Sequence, residues 1–276
     1  MRSEARTSRF DAGAVTPAMS LGVQDNTHGD CHTLSLAGEL DIATAPALHE
    51  TIDRLCEDGA REIVLDLHEL SFIDSSGLRL IFTSEQLCDR HGCDFSLSRV
   101  QPQAQRLFEV AGVVGRLSIR GRALARKIAR RRAPATKTVG SARPDFEVLL
   151  DLNLDAPRSA RNYVRDLLGA DASPSLREAA MLLASDLVTP IVQRGAFAFL
   201  ESGELSVWLG PDVLRVQLEV SNELLLLGPE RIGSQYEASL FDELADRWSV
   251  DAGGSTACVW FELDCDPARR RDRLAS

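Results

Sequence analysis

The apolar run Ile63-Val64-Leu65-Asp66-Leu67 leads, through a short polar connection at His68 to Ser71, into Phe72-Ile73-Asp74-Ser75-Ser76-Gly77-Leu78. A short apolar run bounded by turn residues reads as a buried strand. Ser75 suits an N-cap, and Gly77-Leu78 opens a helix behind it. A buried strand feeding directly into a helix restricts this part of the chain to a layered α/β fold. It also puts two hydroxyls at a helix N-terminus, where backbone N–H groups lack intrahelical partners. The helix dipole favours negative charge there. A phosphate of about −1.5 to −2 charge on such a serine would meet those N–H groups, while neighbouring Asp74 would repel it, so the local structure can tolerate the modification.

The pattern around this stretch alternates strand and helix. A strand near Ser20 to Val23 and another at His32 to Ala37 flank Asp25 to Asp30, a hairpin with a longer loop. Thr44 and Pro46 start a helix with Leu48, Ile52, Leu55 and Cys56 at helical spacing, and Gly59 ends it. Phe95 to Ser98 is a further strand. Gln103 to Val110 is a further helix, with Ala104, Leu107, Phe108 and Ala111 on one face.

The second half begins near Asp145. Phe146 to Leu152 reads as a strand and Pro157 to Leu168 as a helix with Ala160, Val164, Leu167 and Leu168 inward. Ser173, Pro174 and Glu178 open the next helix. Leu205, Val207 and Leu209, then Leu214, Val216, Leu218 and Val220, alternate with period two around a Gly210-Pro211-Asp212 turn. Arg215, Gln217, Glu219 and Ser221 fall on the opposite face, so that face is expected to be wet. A helix around Ser239 to Arg247 and a strand from Cys258 to Leu263 complete the unit, with Gly253-Gly254 as a turn before the last strand.

At 276 residues the chain suits about two domains. With 44% hydrophobic and 26% charged residues it has the composition of a soluble globular protein. No apolar run reaches the roughly 18 residues of a membrane span, and no signal-peptide pattern opens the chain, so a cytoplasmic location is expected. The six cysteines form no C-x-x-C pair, which points to reduced, packed thiols and no metal. All five histidines lie at or before His91, which argues against a His-based triad in the second half. Net charge is −10, yet Arg116, Arg120, Arg122, Arg126, Lys127, Arg130, Arg131, Arg132, Lys137 and Arg143 crowd one acid-free stretch. It reads first as a solvated linker attracted to the acidic domains around it. Base stacking is not supported, because no aromatic residue lies within it.

Gly38-Glu39-Leu40-Asp41 with Thr44, the strand Ile63 to Leu67, and Asp74-Ser75-Ser76-Gly77-Leu78 together resemble the STAS domain of bacterial anti-sigma-factor antagonists, over roughly residues 17–118. The resemblance implies that Ser75 is phosphorylated by a partner kinase. It also implies a contact face of Glu39, Asp41, Thr44, Asp74, Ser76, Gly77 and Leu78. Asp41 has an equal claim as a plain cap or turn residue.

Ala156-Pro157-Arg158-Ser159-Ala160-Arg161, Ser185-Asp186-Leu187-Val188-Thr189, Ala245-Asp246-Arg247-Trp248 and Val259 to Leu263 resemble the GHKL ATPase fold of anti-sigma-factor serine kinases. In that family a Glu-x-x-x-Asn motif supplies the base and a Mg²⁺ ligand. Here Asp186 takes the Glu position and Pro190 the Asn position. Proline offers no side-chain oxygen, and Mg²⁺ takes oxygen donors. It also breaks helices, so the helix is expected to kink or end near Thr189. Asn222 stands where the family has an adenine-reading Asp. Gln235 and Glu237 stand where it has the two glycines of a phosphate loop, and a carboxylate there repels polyphosphate. The resemblance therefore implies a kinase-like domain without catalysis or cofactor.

The fold expected is α/β: an N-terminal STAS-type α/β domain with a central sheet and helices, joined by a basic linker to a GHKL-like α/β sandwich. The boundaries are a flexible tail at 1–16, the STAS domain at 17–118, the linker at 119–144, the degenerate GHKL-like domain at 145–265 and a polar tail at 266–276. The function expected is that of a non-enzymatic, anti-sigma-factor-antagonist-like regulator working by phosphorylation-controlled partner switching. Its partners would be a GHKL-type anti-sigma factor or serine kinase, its own second half, or a second copy of the chain. The alternatives are a divergent serine kinase fused to its own STAS substrate, and an electrostatic adaptor binding nucleic acid or membrane through the basic linker.

Overall fold

The computed structural model describes residues 21–111, 143–195, 202–221, 235–253 and 255–266. The expected N-terminal tail, nearly all of the basic linker, Asn222, Gly254 and the end of the chain lie outside the described residues. The first half runs β1 (Gly22–His28), β2 (Cys31–Leu40), α1 (Ala45–Glu57), β3 (Glu62–Ile73), α2 (Ser75–His91), β4 (Asp94–Ser98) and α3 (Pro102–Val110). Its sheet has the order β1-β2-β3-β4. The β1–β2 pair is antiparallel and the other two pairs are parallel. Parallel neighbours need crossovers, and α1 and α2 supply them. Leu34, Leu36 and Leu40 of β2, Ile63, Leu65 and Leu67 of β3, Leu48 and Ile52 of α1, and Leu78 and Ile81 of α2 fill the core.

Two local expectations in this half need correction. The hairpin is tight: His28 pairs with Cys31, and Gly29-Asp30 is a two-residue turn with Gly29 at φ 62°. A left-handed glycine at the first turn position suits the twist of paired strands. The polar residues from His68 to Ser71 are not a connection, because β3 runs unbroken to Ile73. Its pairing with β2 continues to Leu40↔Ile73 across two irregularities, whereas β4 stops opposite Asp66. Beyond that point no strand among the described residues pairs with that edge of β3, and Gln101 donates to the His68 carbonyl there at 2.5 Å.

The second half runs β5 (Phe146–Asp151), α4 (Ala156–Leu168), α5 (Pro174–Gly195), β6 (Ser202–Leu209), β7 (Val213–Ser221), α6 (Gln235–Leu244), β8 (Arg247–Gly253) and β9 (Thr256–Asp264). An antiparallel sheet of order β5-β6-β7-β9-β8 carries α4 and α5 on its apolar face. The period-two residues expected inward on β6 and β7 are buried at Leu205, Val207, Leu214, Val216, Leu218 and Val220.

Three expectations need correction, the first only in part. Of the kink or end expected near Thr189 the end is excluded, since α5 continues through Pro190 to Gly195. A mid-helix proline costs about 3 kcal/mol. Leu187, Val188, Ile191 and Val192 on either side are all buried, each contributing roughly 1.5–3 kcal/mol. The last helix stops at Leu244, and Arg247 and Gly253 belong to β8, a strand hidden between the helix expected to Arg247 and the turn expected at Gly253. The outer sheet face is not uniformly wet. Arg215 is buried 4.0 Å over the Trp260 ring and donates to Glu262 over 3.1 Å.

Candidate functional site

Helix α2 begins at Ser75 because Asp74 caps it. Asp74 has extended backbone, and its Oδ1 accepts from the N–H groups of Ser76 at 2.9 Å and Gly77 at 3.1 Å. This corrects the view of Ser75 as cap: Ser75 is the first helical residue, and its hydroxyl is released from local duty. Gly77 and Leu78 serve the scaffold. Leu78 lies in the core, and a Cβ on Gly77 would fall 2.6 Å from the Leu40 carbonyl oxygen. The Ser76 hydroxyl is buried and finds no hydrogen-bond partner among the described residues.

The loop between β2 and α1 stands beside that N-terminus. Asp41 Oδ1 accepts from the backbone N–H of Ala43 at 3.1 Å and of Thr44 at 3.2 Å. Thr44 donates its hydroxyl to the Glu39 carbonyl at 2.9 Å and accepts from Asp41 N–H at 2.9 Å. One oxygen of Asp41 is thus spent on the turn, and Oδ2 is left for other partners. Glu39, Asp41 and Asp74 are all buried. Buried carboxylates need paired cations or a proton.

The cations come from α4. Arg161 Nη2 donates to Glu39 Oε2 at 2.6 Å and to Asp41 Oδ2 at 2.8 Å, and its Nη1 donates to Ser185 Oγ at 2.8 Å. Its guanidinium lies 4.2 Å from the centre of the Phe72 ring and 3.8 Å from Asp74 Oδ2. Arg158 reaches Glu39 and Asp41, each at 3.1 Å. From α5, Ser185 donates to Asp74 Oδ2 at 2.7 Å, and Asp186 Oδ1 accepts from the Ser75 hydroxyl at 2.6 Å. Apolar contacts cross in both directions. Ile42 lies in the core of the second half, while Leu182 and Leu240 lie in that of the first.

The electrostatics are uneven. Arg161 is fully buried; burial opposes its charge, but Asp74, Glu39 and Asp41 outweigh that and hold it above the ordinary arginine range. Asp74 is pushed above the usual carboxylate range by burial, with Asp41 adding to the rise and Arg161 opposing it.

The residue types around Ser75 were legible, but Arg158, Arg161 and Ser185 were not assigned to this site. A signal existed. Arg161 sits on the apolar stripe of α4 between Ala160 and Val164, and a charge on such a stripe must find partners. Of the other positions singled out, Pro190 lies inside α5 one turn beyond Asp186. Gln235 and Glu237 occupy the first turn of α6 rather than a loop.

A second cluster lies at the far end of α1 and α2. The thiols of Cys56, Cys88 and Cys93 lie within 4.8 Å of one another, with Cys56 and Cys88 sulfurs 3.6 Å apart. Burial raises the Cys88 thiol and pushes Cys93 up to about 11. Cys88 and Cys93 keep their protons at neutral pH, and a metal would have to displace them. Among the described residues no helix is long and apolar enough to cross a membrane.

Comparison with known proteins places the first half. The family model "Mlab, STAS domain" matches residues 23–124. The anti-sigma-B factor antagonist of Staphylococcus aureus is 30% identical over 95 residues, which cover 34% of this chain and 88% of that protein. The Staphylococcus epidermidis protein of the same name is 27% identical over 95 residues, with the same coverage. The crystal structure of an anti-sigma factor antagonist from Mycobacterium paratuberculosis aligns with a TM-score of 0.34 and 23% identity, covering 37% of this chain and 87% of that one. Through its STAS domain at residues 23–124, the chain belongs to the anti-sigma-factor antagonist family.

Proposed function

We propose that this chain is a partner-switching regulator of the anti-sigma-factor antagonist type. Ser75 is its phosphoacceptor, and its external partner is a GHKL-type anti-sigma factor or serine kinase in the cytoplasm. The second half is kinase-like in form and without nucleotide chemistry, and it holds the partner face of the first half within one chain. The observation that carries this reading is the placement of Ser75. Its hydroxyl stands free of the helix cap, on a face of Glu39, Asp41 and Asp74 that is gripped by Arg158, Arg161, Ser185 and Asp186. A face that one acid-and-serine surface presents to a basic partner in cis suits a similar partner in trans.

Two measurements test it. Calorimetry of the full chain with Mg-ATP should give no saturable heat at millimolar nucleotide. Incubation with a cognate anti-sigma kinase and ATP should place phosphate on Ser75, and Ser75→Ala should abolish the label. Saturable nucleotide binding removes the non-catalytic reading, and phosphate found only on Ser76 removes the residue assignment.

One observation favours a second reading, a divergent serine kinase acting on its own Ser75. A carboxylate 2.6 Å from a hydroxyl is where a general base would stand. Pro190, at the position where that family ligates Mg²⁺, weighs against it. Labelling of Ser75 by Mg-ATP without added kinase would decide in its favour.

A further inference from the structure

The contacts that join the two halves also decide when Ser75 is open to chemistry. Ser75 is 3% exposed, and its hydroxyl hydrogen is committed to Asp186. Phosphorylation by an external kinase needs the Ser75 oxygen in line with the γ-phosphorus of ATP. The Oγ–P bond forms, the bond from that phosphorus to the bridging oxygen breaks, and ADP leaves. The hydroxyl proton passes to the kinase's base. A buried oxygen bonded to Asp186 at 2.6 Å has no open approach for that attack. Building on the reading of Ser75 as phosphoacceptor, we infer that the second half shields Ser75 from the kinase, that the halves part before Ser75 is modified, and that the phosphate then keeps them apart.

The charges give the direction of the last step. Two guanidinium groups, Arg158 and Arg161, are paired with three carboxyl groups, Glu39, Asp41 and Asp74, and a fourth, Asp186, accepts from the Ser75 hydroxyl. Arg161 Nη2 is already shared by Glu39 and Asp41, and its Nη1 is held by Ser185. A phosphate adds about −1.5 to −2 charge at this spot and removes the hydroxyl that Asp186 accepts. Asp186 and Asp74 then repel it across a buried contact. Modification is therefore a latch on the open chain rather than the key that opens it. A kinase that reads only open chains works at a rate reduced by the fraction open.

The test uses the full chain, a GHKL-type serine kinase of the anti-sigma class, and Mg-ATP. Mass spectrometry follows the initial rate of Ser75 labelling in the wild type, Arg161→Ala and Arg158→Glu. Hydrogen exchange of peptides covering 38–44 and 74–80 follows closure in the same samples. Arg158 is 12% exposed, so its variant keeps the test alive if loss of the fully buried Arg161 unfolds the second half. Both variants should be labelled about tenfold faster or more, with faster exchange in both peptides. Phosphorylated wild type should exchange like the variants. Equal labelling rates in wild type and variants overturn the shielding. A phosphorylated chain that keeps wild-type protection overturns the latch. If the variants exchange faster while Ser75 stays unlabelled, it is the phosphoacceptor reading that fails, and the inference falls with it.

Discussion

Ser75 and Asp186 are 111 positions apart in the chain and 2.6 Å apart in space, the serine donating to the aspartate. Their neighbours repeat the contact in reverse, with Ser185 donating to Asp74 at 2.7 Å. The dipeptides Asp74-Ser75 and Ser185-Asp186 thus exchange hydrogen bonds crosswise, each serine serving the other half's carboxylate. All four side chains are buried, so each hydroxyl is the nearest substitute for the water its partner lost.

Removing one arm of this exchange should be costly. Ser185→Ala leaves Asp74 Oδ2 with Arg161 at 3.8 Å as its remaining charge partner, and takes an acceptor from Arg161 Nη1. A hydrogen bond to a charged group contributes about 1.5–3 kcal/mol. Urea unfolding of the full chain should show a loss of that size, with faster exchange in the peptide covering 74–80. A loss under about 0.5 kcal/mol would mean the two halves rarely meet in solution.

Gly77 tests the scaffold beneath the site. A methyl group there meets the Leu40 carbonyl oxygen at 2.6 Å, Ile73 Cγ1 at 2.8 Å and Leu40 Cγ at 2.9 Å. One of these contacts is backbone and cannot swing aside. Gly77→Ala should cost about 1–3 kcal/mol from overpacking, although alanine is the better helix former by roughly 1 kcal/mol. Thermal unfolding of the variant reads the balance, and a raised melting temperature would contradict the packing described.

The first half was legible because its signals agree with one another. The apolar strand at Ile63 to Leu67, the Leu48/Ile52/Cys56 stripe and the helix after Asp74 each match their local pattern. Which residue caps α2 was not legible, since Asp74 and Ser75 are both good caps and only the extended backbone of Asp74 decides between them. The basic side of the site was hidden for another reason. Arg158 and Arg161 meet Glu39 and Asp41 across more than 115 positions, and no local periodicity encodes a pairing that distant. β8 does alternate, with Trp248 and Val250 packed on the core and Arg247, Ser249 and Asp251 between them, but the helix expected to run to Arg247 and the turn expected at Gly253 left it only a few residues in which to show.

Pro190 offers a stabilising substitution. Helix α5 continues past it, so its missing N–H denies the Asp186 carbonyl a helical donor. Pro190→Ala restores that donor and relieves the ring, worth about 3 kcal/mol. Against this stand roughly 0.4–1 kcal/mol of unfolded-state entropy and about 1.6 kcal/mol for the two buried ring carbons removed. The balance favours the variant by roughly 0.4–1 kcal/mol, which differential scanning calorimetry would register as a rise in melting temperature. A fall would show that the helix is held in a bent form that only proline suits.

Asp74 gives the site a pH dependence of definite sign. The groups facing it are Arg161, Asp41, Ser185 and the N–H groups it caps. Burial is the largest influence and raises its pKa above the ordinary 3.8, with Asp41 adding to the rise and Arg161 opposing it. The folded chain therefore holds the Asp74 proton more tightly than the unfolded chain does. The associated stability is fully present below pH 3.8 and is lost as pH rises through the raised value. Asp74→Asn removes the titration and keeps a side-chain oxygen for the Ser76 and Gly77 N–H groups. Near pH 3.5 the variant should melt within about a degree of wild type, and at pH 7 it should melt higher, on the order of a few degrees. The gap should open as pH rises above 3.8 and level off once pH has passed the raised value. Other acids titrate in the same range, so the quantity to follow is the difference between the two proteins at each pH. If that difference instead shrinks or changes sign as pH rises, the attraction of Arg161 for a charged Asp74 outweighs the cost of burying it. The carboxylate would then be a net support of the closed chain.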